Sequence, residues 1–484
     1  MTSLESLIDG AVRRSIPAGT RAVVIASRQA GKNELMARLE ARMLCKYSGS
    51  VRESVKAAPV AKPTLHISKV RLKRVMATPM FFELPKNFVY WEEGYICKVG
   101  KASQVFLSCE PSANRVGHTA SLYLSVDEAQ DVEEEIYIKD LRPMLLQTGA
   151  LTMLSGTSWD RSALIEVERE RAREVQKRLG IRLLYEYPWW RVAEENPKYA
   201  ESAQAEIELL GEDHPIVMTQ YRLIPVDKMG SFLTEAGFRK LQGSHQRQSN
   251  PIPGRFHVAG VDWCGASEQD EADQLKDPDK IRKRDSGVVT IGELVWNLNK
   301  FGTKVPTVRV VDHLFFTTHQ PMEMIEEVFK FIFERWQCVY VVSDASGVGD
   351  MPSHVLATRR PSQVECLKSS LSLVSQLGFN LLGAINTERF KVYSEESETL
   401  RECLHQFKEC RREMRSQGYM RFGAPEYKVL APGGVSRVDV HDDFVKSASY
   451  CLHAAMRFEH LSSGIDPVKS MRPPEEPDLD AFDL

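Results

Sequence analysis

The stretch Ala22-Val-Val-Ile-Ala-Ser-Arg-Gln-Ala-Gly-Lys-Asn-Glu34 constrains this chain more than any other. A short apolar run ends in a polar loop, and a helical pattern follows from Glu34 to Cys45. A strand feeding a helix this way buries its face best in a parallel sheet covered by helices. More apolar runs bounded by turn residues lie at Thr64–Ile67, Val105–Ser108, Leu122–Val126 and Leu151–Leu154, with a helical pattern at Ile136–Leu146. Arg161–Gly180 alternates Arg and Glu, as a solvated helix laced with i,i+4 pairs does. The alternation predicts an α/β domain with a mainly parallel sheet.

The loop itself suits phosphate. Backbone N–H groups from Ser27 through Gln29, Gly31 and Asn33, at a helix N-terminus, can wrap phosphate oxygens, and Lys32 neutralises their charge. The match to G-x-x-x-x-G-K-[ST] has two changes. Ala26 stands at the first glycine, and Asn33 replaces the hydroxyl that meets Mg²⁺, though its carboxamide oxygen can face the ion. Leu122-Tyr-Leu-Ser-Val-Asp127-Glu128 supplies the other half. Asp127 at a strand end suits the Mg²⁺ shell, and Glu128 is placed to polarise an attacking water. The pair predicts ATP hydrolysis with Mg²⁺. Ser155-Gly-Thr157 ends the next strand, where a small polar turn can sense the γ-phosphate. The plain alternative is a strand–turn–helix with a capping glycine, two surface acids and an ordinary strand-end turn.

A chain of 484 residues suggests two or three domains at about 150 residues each. We expect a P-loop domain over 1–242, a linker over 243–254 (within GSHQRQSNPIPG), a second domain over 255–461, and an acidic, Pro-rich tail over 462–484 expected to be disordered. The second domain reads as strands at Phe256–Val261, Gly287–Leu294 and Thr307–Phe316, a helix at Met322–Trp336, a strand at Val339–Ser343 and a last helix at Phe444–Phe458. That is the order of a ribonuclease-H-like fold, which brings the first strand, the fourth strand and the last helix to one edge. Asp262, Asp344 and the pair Asp442–Asp443 stand there. Carboxylates so gathered hold two Mg²⁺ or Mn²⁺ ions for in-line phosphodiester cleavage. Taken singly, each Asp is also a turn former or N-cap. Asp285 either assists or begins a strand.

Composition excludes other classes. Hydrophobic residues make up 43% and charged residues 27%, an ordinary globular balance. A net charge of -3 argues against a histone-like binder. The nine Cys include no C-x-x-C, and the twelve His form no clustered pattern, so zinc is not expected. No apolar run nears the roughly 20 residues that span a bilayer, and the first residues lack a signal-peptide core. We expect a soluble intracellular protein with no membrane partner.

Together these residues resemble the large terminase subunit of tailed double-stranded DNA bacteriophages. The resemblance runs from about Ala22 to Arg457. It is carried by Ser27–Asn33, Gly117-His-Thr-Ala, Val126-Asp-Glu-Ala-Gln130, Ser155–Thr157, Asp262, Ser343-Asp-Ala-Ser-Gly-Val-Gly349 and His441-Asp-Asp-Phe-Val445. It implies an ATPase motor that pumps double-stranded DNA through a portal protein into a procapsid, and an endonuclease that cuts concatemers. It implies that Arg28 reaches the γ-phosphate, Lys32 binds phosphate, Asp127 holds Mg²⁺ and Glu128 is the base. The turn ending at Thr157 would couple hydrolysis to movement, and Asp262, Asp344 and Asp443 would be the nuclease acids. Asp442 leaves that last position open by one residue. Partners implied are a small terminase subunit and copies of the chain in a ring, commonly a pentamer, when docked, with a monomer in solution. The place of action would be the host cytoplasm rather than the mature virion.

Two basic runs are candidates for backbone contact with DNA. One is Lys69, Arg71, Lys73 and Arg74; the other is Arg411, Arg412, Arg415 and Arg421, with Tyr419 and Phe422 interleaved. The charged loop 264–284 reads as a flap near DNA or a solvated insertion. Rival readings are another P-loop DNA motor, such as a helicase or resolvase-like enzyme, and a non-catalytic assembly module.

Overall fold

The computed structural model describes residues 2–78, 88–113, 115, 117–263, 287–298, 304–316, 321–431, 434–439 and 441–458. The loop 264–284, Asp285 and the tail 462–484 lie outside the described residues. The chain divides into two compact units, one of residues 1–207, 215–228 and 416–418, the other of 208–214, 229–415 and 419–484.

The first unit is built on strands β1 (Arg21–Ala26), β2 (Arg52–Ala58), β3 (Val89–Glu92), β4 (Ile96–Val99), β5 (Ala102–Ser108), β6 (Tyr123–Val126), β7 (Leu151–Gly156) and β8 (Leu184–Tyr187). They form one sheet in the order β3-β4-β5-β2-β6-β7-β1-β8. From β5 to β8 every pairing is parallel, and β3 and β4 add an antiparallel edge. Buried residues from β1, β2, β6 and β7 form its core with helices α1 (Thr2–Val12) and α2 (Lys32–Lys46). The order has one consequence for chemistry. β7 lies between β1 and β6, so the loop after β1, the Ser155–Thr157 turn and the acids after β6 open side by side at the carboxyl ends of their strands. Ligands of open α/β sheets bind at that edge.

Two elements differ from the sequence pattern. β2 carries Glu53 and Lys56 and has no continuous apolar run, yet it is a central strand. Lys56 is only 1% exposed, and its Nζ lies 2.7 Å from Glu40 Oε1. Pairing makes burial of that charge tolerable. Thr64–Ile67 is no strand; it enters helix α3 (His66–Met76), whose buried Ser68, Leu72, Val75 and Met76 recur at helical spacing. The alternating Arg–Glu stretch is helix α4 (Leu164–Leu179), laced by pairs such as Arg169 with Glu166.

The second unit holds a strand β9 (Met229–Ser231) and a six-stranded sheet of β10 (Phe256–Asp262), β11 (Gly287–Leu298), β12 (Lys304–Phe316), β13 (Tyr340–Asp344), β14 (Val364–Leu367) and the short β15 (Phe390–Lys391). The order is β14-β13-β10-β11-β12-β15. β10, β11 and β12 are antiparallel, while β13 joins β10 in parallel and β14 joins β13 in parallel. This is the ribonuclease-H-like topology. Helices α5 (Pro321–Phe329) and α6 (Asp350–Arg359) follow β12 and β13, and α7 (Leu371–Asn386) and α8 (Glu398–Glu409) lead to β16 (Arg411–Met414). β16 pairs with β9 and with β17 (Met420–Gly423). The hairpin β18 (Glu426–Ala431) and β19 (Gly434–Asp439) precedes the last helix, α9 (Asp443–Met456). Segment 243–254 is bonded along this unit: Gly243 N–H donates to Val392 C=O at 2.7 Å and Gln248 N–H to Val311 C=O at 2.9 Å.

Gly260 decides how near α9 comes to β10. A Cβ there would sit 2.1 Å from Ser447 O and 2.2 Å from Cys451 N. With hydrogen in its place the helix backbone lies on the strand, and Ser447 Oγ donates to Gly260 C=O at 2.9 Å. That approach sets the first turn of α9, with Asp443, beside the end of β10, with Asp262.

Candidate active sites

The first site is an open cavity of about 530 Å³ lined by Ser27, Arg28, Gln29, Ala30, Gly31, Lys32, Asn33, Arg71, Glu128, Thr157 and Gln220. It brings together the phosphate-loop residues expected from sequence, along with Glu128 and Thr157. Asp127 lies beneath. The loop is braced from behind. Ser27 N–H donates to Tyr187 C=O at 2.9 Å and Arg28 N–H to Gln220 C=O at 2.8 Å. The Tyr199 hydroxyl donates to Arg28 C=O at 3.0 Å and meets Ser27 Oγ at 2.8 Å. Arg28 Nη1 donates to Gln220 Oε1 at 3.1 Å.

Lys32 Nζ lies 2.9 Å from Glu128 Oε1 and 3.6 Å from Asp127 Oδ1. An entering phosphate therefore competes with Glu128 for this ammonium. Asp127 is 1% exposed. Burial pushes its carboxyl up, but Lys56, Lys32 and the hydroxyls of Ser155 and Ser68 outweigh that and hold it below the usual carboxylate range. Ser155 Oγ donates to Oδ1 at 3.0 Å, Ser68 Oγ to Oδ2 at 3.2 Å, and Lys56 Nζ stands 3.8 Å away. The carboxylate is thus kept ionised and aimed, as a cation ligand must be. Asn33 Oδ1 is buried and has no hydrogen-bond partner. A buried amide oxygen left unpaired costs about 1–3 kcal/mol, and a hard cation would satisfy it. Glu128 adopts φ 48°, in the left-handed region. For a residue with a Cβ this conformation costs about 1–2 kcal/mol.

Sequence reasoning missed several groups here. Ser68 and Arg71 sit one turn apart on α3, so anchoring Ser68 on Asp127 swings Arg71 into the phosphate cavity. Arg71 therefore belongs to this cavity rather than to a basic face. Lys73 lies over the Trp91 ring, 4.7 Å from its centroid, and Lys69 over Phe106 at 6.0 Å. The i,i+3 spacing of Ser68 and Arg71 was the signal available.

The second site is a cavity of about 260 Å³ lined by Asp262, Trp263, Asp344, Ser346, Val348, Gly349, His441, Asp442, Asp443 and Lys446. All four aspartates expected from sequence line it. Asp262 is buried, and its carboxyl is pushed well above the usual range. Burial is the main cause, Lys446 opposes it, and Asp443, Asp442 and Asp344 add like-charge repulsion. Asp442 is held by the protein: its Oδ2 accepts from Ala424 N–H at 3.0 Å and its Oδ1 from Lys446 Nζ at 2.9 Å. Asp344 Oδ1 accepts from Ser346 N–H at 2.9 Å. Among the described residues no three of these groups close on one point as a finished metal cage. The donor set still fits a hard divalent cation. Its four carboxylates offer oxygen donors beside His441, with a buried carboxylate whose charge a cation would relieve. Lys446 was missed because its role needs α9 folded against β10; its spacing of four from Asp442 was the only sign.

The second basic run is mostly engaged. Arg411 Nη1 donates to Ser231 Oγ at 2.6 Å, Arg412 Nε to Ser231 C=O at 3.2 Å and Arg415 Nη2 to Glu413 Oε2 at 2.7 Å, while Phe422 is buried.

The chain is similar along nearly all its length to solved phage large terminases. Against the large terminase of a thermophilic bacteriophage the TM-score is 0.49 at 10% identity, covering 93% of this chain and 98% of that one. Against the HK97 bacteriophage large terminase it is 0.35 at 13% identity, covering 92% and 93%. The large terminase nuclease of a second thermophilic phage, G20c, with bound magnesium, matches at 0.31 and 16% identity over 46% of this chain and 96% of that one. No protein-family profile matches the chain, and no curated protein matches it in sequence.

Proposed function

We propose that this chain is a phage large terminase: an ATP-driven translocase of double-stranded DNA and a metal-dependent endonuclease of concatemers. One observation carries the reading. A single chain holds both a phosphate-loop cavity lined by Lys32 and Glu128, with Asp127 buried 3.6 Å from Lys32, and a four-aspartate cavity at the matching edge of a ribonuclease-H-like sheet. Asn33 and Asp127 would hold Mg²⁺ with ATP, and Asp262, Asp344 and Asp443 two Mg²⁺ or Mn²⁺ ions, which supply charge neutralisation and water activation. Asp442, bonded at both oxygens, is better suited to aiming Lys446 and the start of α9. Lys32 leaves Glu128 to bind phosphate, Arg28 faces the same anion, and Glu128 orients the attacking water. Portal, procapsid, small subunit and a ring of copies in the host cytoplasm complete the proposal.

The test is the wild-type chain itself. Plasmid DNA is expected to be linearised and smeared with Mn²⁺ or Mg²⁺, and left intact with EDTA. ATP is expected to be hydrolysed in the presence of duplex DNA. Strand displacement in place of cleavage would favour a helicase; inertness in both assays would favour an assembly module.

The raised Asp262 carboxyl makes metal binding pH-dependent. A group whose proton is held more tightly when folded must lose it to bind a cation. Affinity for Mn²⁺ is therefore expected to climb as pH rises through the elevated titration of Asp262 and then level off, with protons released on binding. Calorimetric titration in two buffers of different ionisation heat reads both effects. A flat affinity would contradict Asp262 as a ligand.

A further inference from the structure

Glu128 is gripped on both oxygens. Lys32 takes Oε1 at 2.9 Å, and Gln130 Nε2 donates to Oε2 at 2.8 Å. The same amide nitrogen donates to Asp131 Oδ2 at 3.1 Å, which uses its second proton. Its oxygen accepts from Thr157 N–H at 3.2 Å. This network fixes which way round the carboxamide sits. Turned over, it would point its oxygen at two carboxylates and its protons at an N–H. Gln130 thus ties the acid after β6 to the turn after β7, and Thr157 lines the same cavity as Glu128. The turn is shaped for this contact. A Cβ on Gly156 would lie 2.1 Å from Gln130 Oε1 and 2.7 Å from Ile165 Cδ1.

The two grips on Glu128 are not equivalent. The one from Lys32 is lost when a phosphate claims the ammonium. The one from Gln130, whose own oxygen is held by Thr157 N–H, does not involve that ammonium. We propose that Gln130 is a positioning residue that holds the Glu128 carboxylate, through the Thr157 backbone, in its water-orienting pose once nucleotide has taken Lys32. This rests on the ATPase reading above. Gln130 touches no substrate; it acts through Glu128.

The test measures DNA-stimulated ATP hydrolysis by the full chain with Gln130→Met, Gly156→Ala and the double variant. Methionine keeps the length and bulk of glutamine and removes its hydrogen bonds. Gln130→Met is expected to lower kcat about 10–100-fold, while KM and the Kd for ADP stay within about twofold. Gly156→Ala, which pushes the carboxamide out of its seat, is expected to lower kcat by a similar factor. The double variant is expected to be no worse than the poorer single, because both break one link. Full kcat in Gln130→Met would show that the residue only fills space and would overturn the proposal. So would losses that multiply in the double variant. If Gly156→Ala lowers the melting temperature of the first unit, Gln130→Met alone decides. Failure of the parent reading looks different. Wild type would then hydrolyse no ATP, or Lys32→Ala would hydrolyse it normally, and the proposal would fall with it.

Discussion

Asp262→Asn is expected to reduce metal-dependent DNA cleavage by at least about 10³-fold, about 4 kcal/mol of transition-state stabilisation. ATP hydrolysis is expected to remain, since Asp262 belongs to the other unit. The same substitution is expected to stabilise the metal-free protein. The raised carboxyl means that ionisation works against folding: the stability it contributes is present at low pH and is lost as pH rises through the elevated titration. Asparagine has the same shape and no charge, so it removes both the buried anion and its repulsion by Asp443, Asp442 and Asp344. About 1 kcal/mol, or 2–4 °C in the melting temperature of a unit this size, is the expected gain near neutral pH. Saturating Mn²⁺ should reverse the ranking, because the wild type gains binding energy that the variant lacks. Cleavage and two melting curves, with metal and with EDTA, check all three effects. Undiminished cleavage would remove Asp262 from the metal site. A lower metal-free melting temperature would contradict the account of repulsion.

Glu128→Gln is expected to slow ATP hydrolysis about 10²–10⁴-fold, the usual worth of a positioned general base. Nucleotide binding should move the other way. Glu128 now holds Lys32 at 2.9 Å, and that pair must open before phosphate can use the ammonium. Glutamine is neutral and grips less. Release of a partly exposed pair worth about 0.5–1 kcal/mol would tighten ATP binding ~2–5-fold. DNA cleavage should be unaffected. A fluorescent nucleotide titration alongside a phosphate-release assay separates the two outcomes. Weaker binding with normal turnover would mean that Glu128 serves the loop's structure rather than the chemistry.

Much of this was legible in the linear order of residues, for a physical reason. An apolar strand ending in a polar or acidic residue is a local pattern. Lys32 after β1, Asp127 and Glu128 after β6, Asp262 at the end of β10 and Asp344 at the end of β13 all announce themselves that way. Burial period and turn chemistry act over a few residues, so a single stretch suffices to read them. β2 escaped because its core position depends on Lys56 meeting Glu40 on another element. Thr64–Ile67 misled because Leu65 and Ile67 alternate like a strand, while the burial that matters follows the helical spacing of α3.

The sequence by itself determined the α/β class and the residue types that stand at the strand ends of both cavities. Tertiary structure alone decided which groups converge. The insertion of β7 between β1 and β6 sets Thr157 beside Glu128 and gives Gln130 something to link. The absence of a side chain at Gly260 lets α9 lie on β10 and carry Asp443 and Lys446 to Asp262. Ala424 N–H and Lys446 engage Asp442, partners that neighbouring identical letters cannot reveal. Electrostatics and hydrogen bonds act through space over a few ångströms, and residues that close come from strands and helices far apart in the chain.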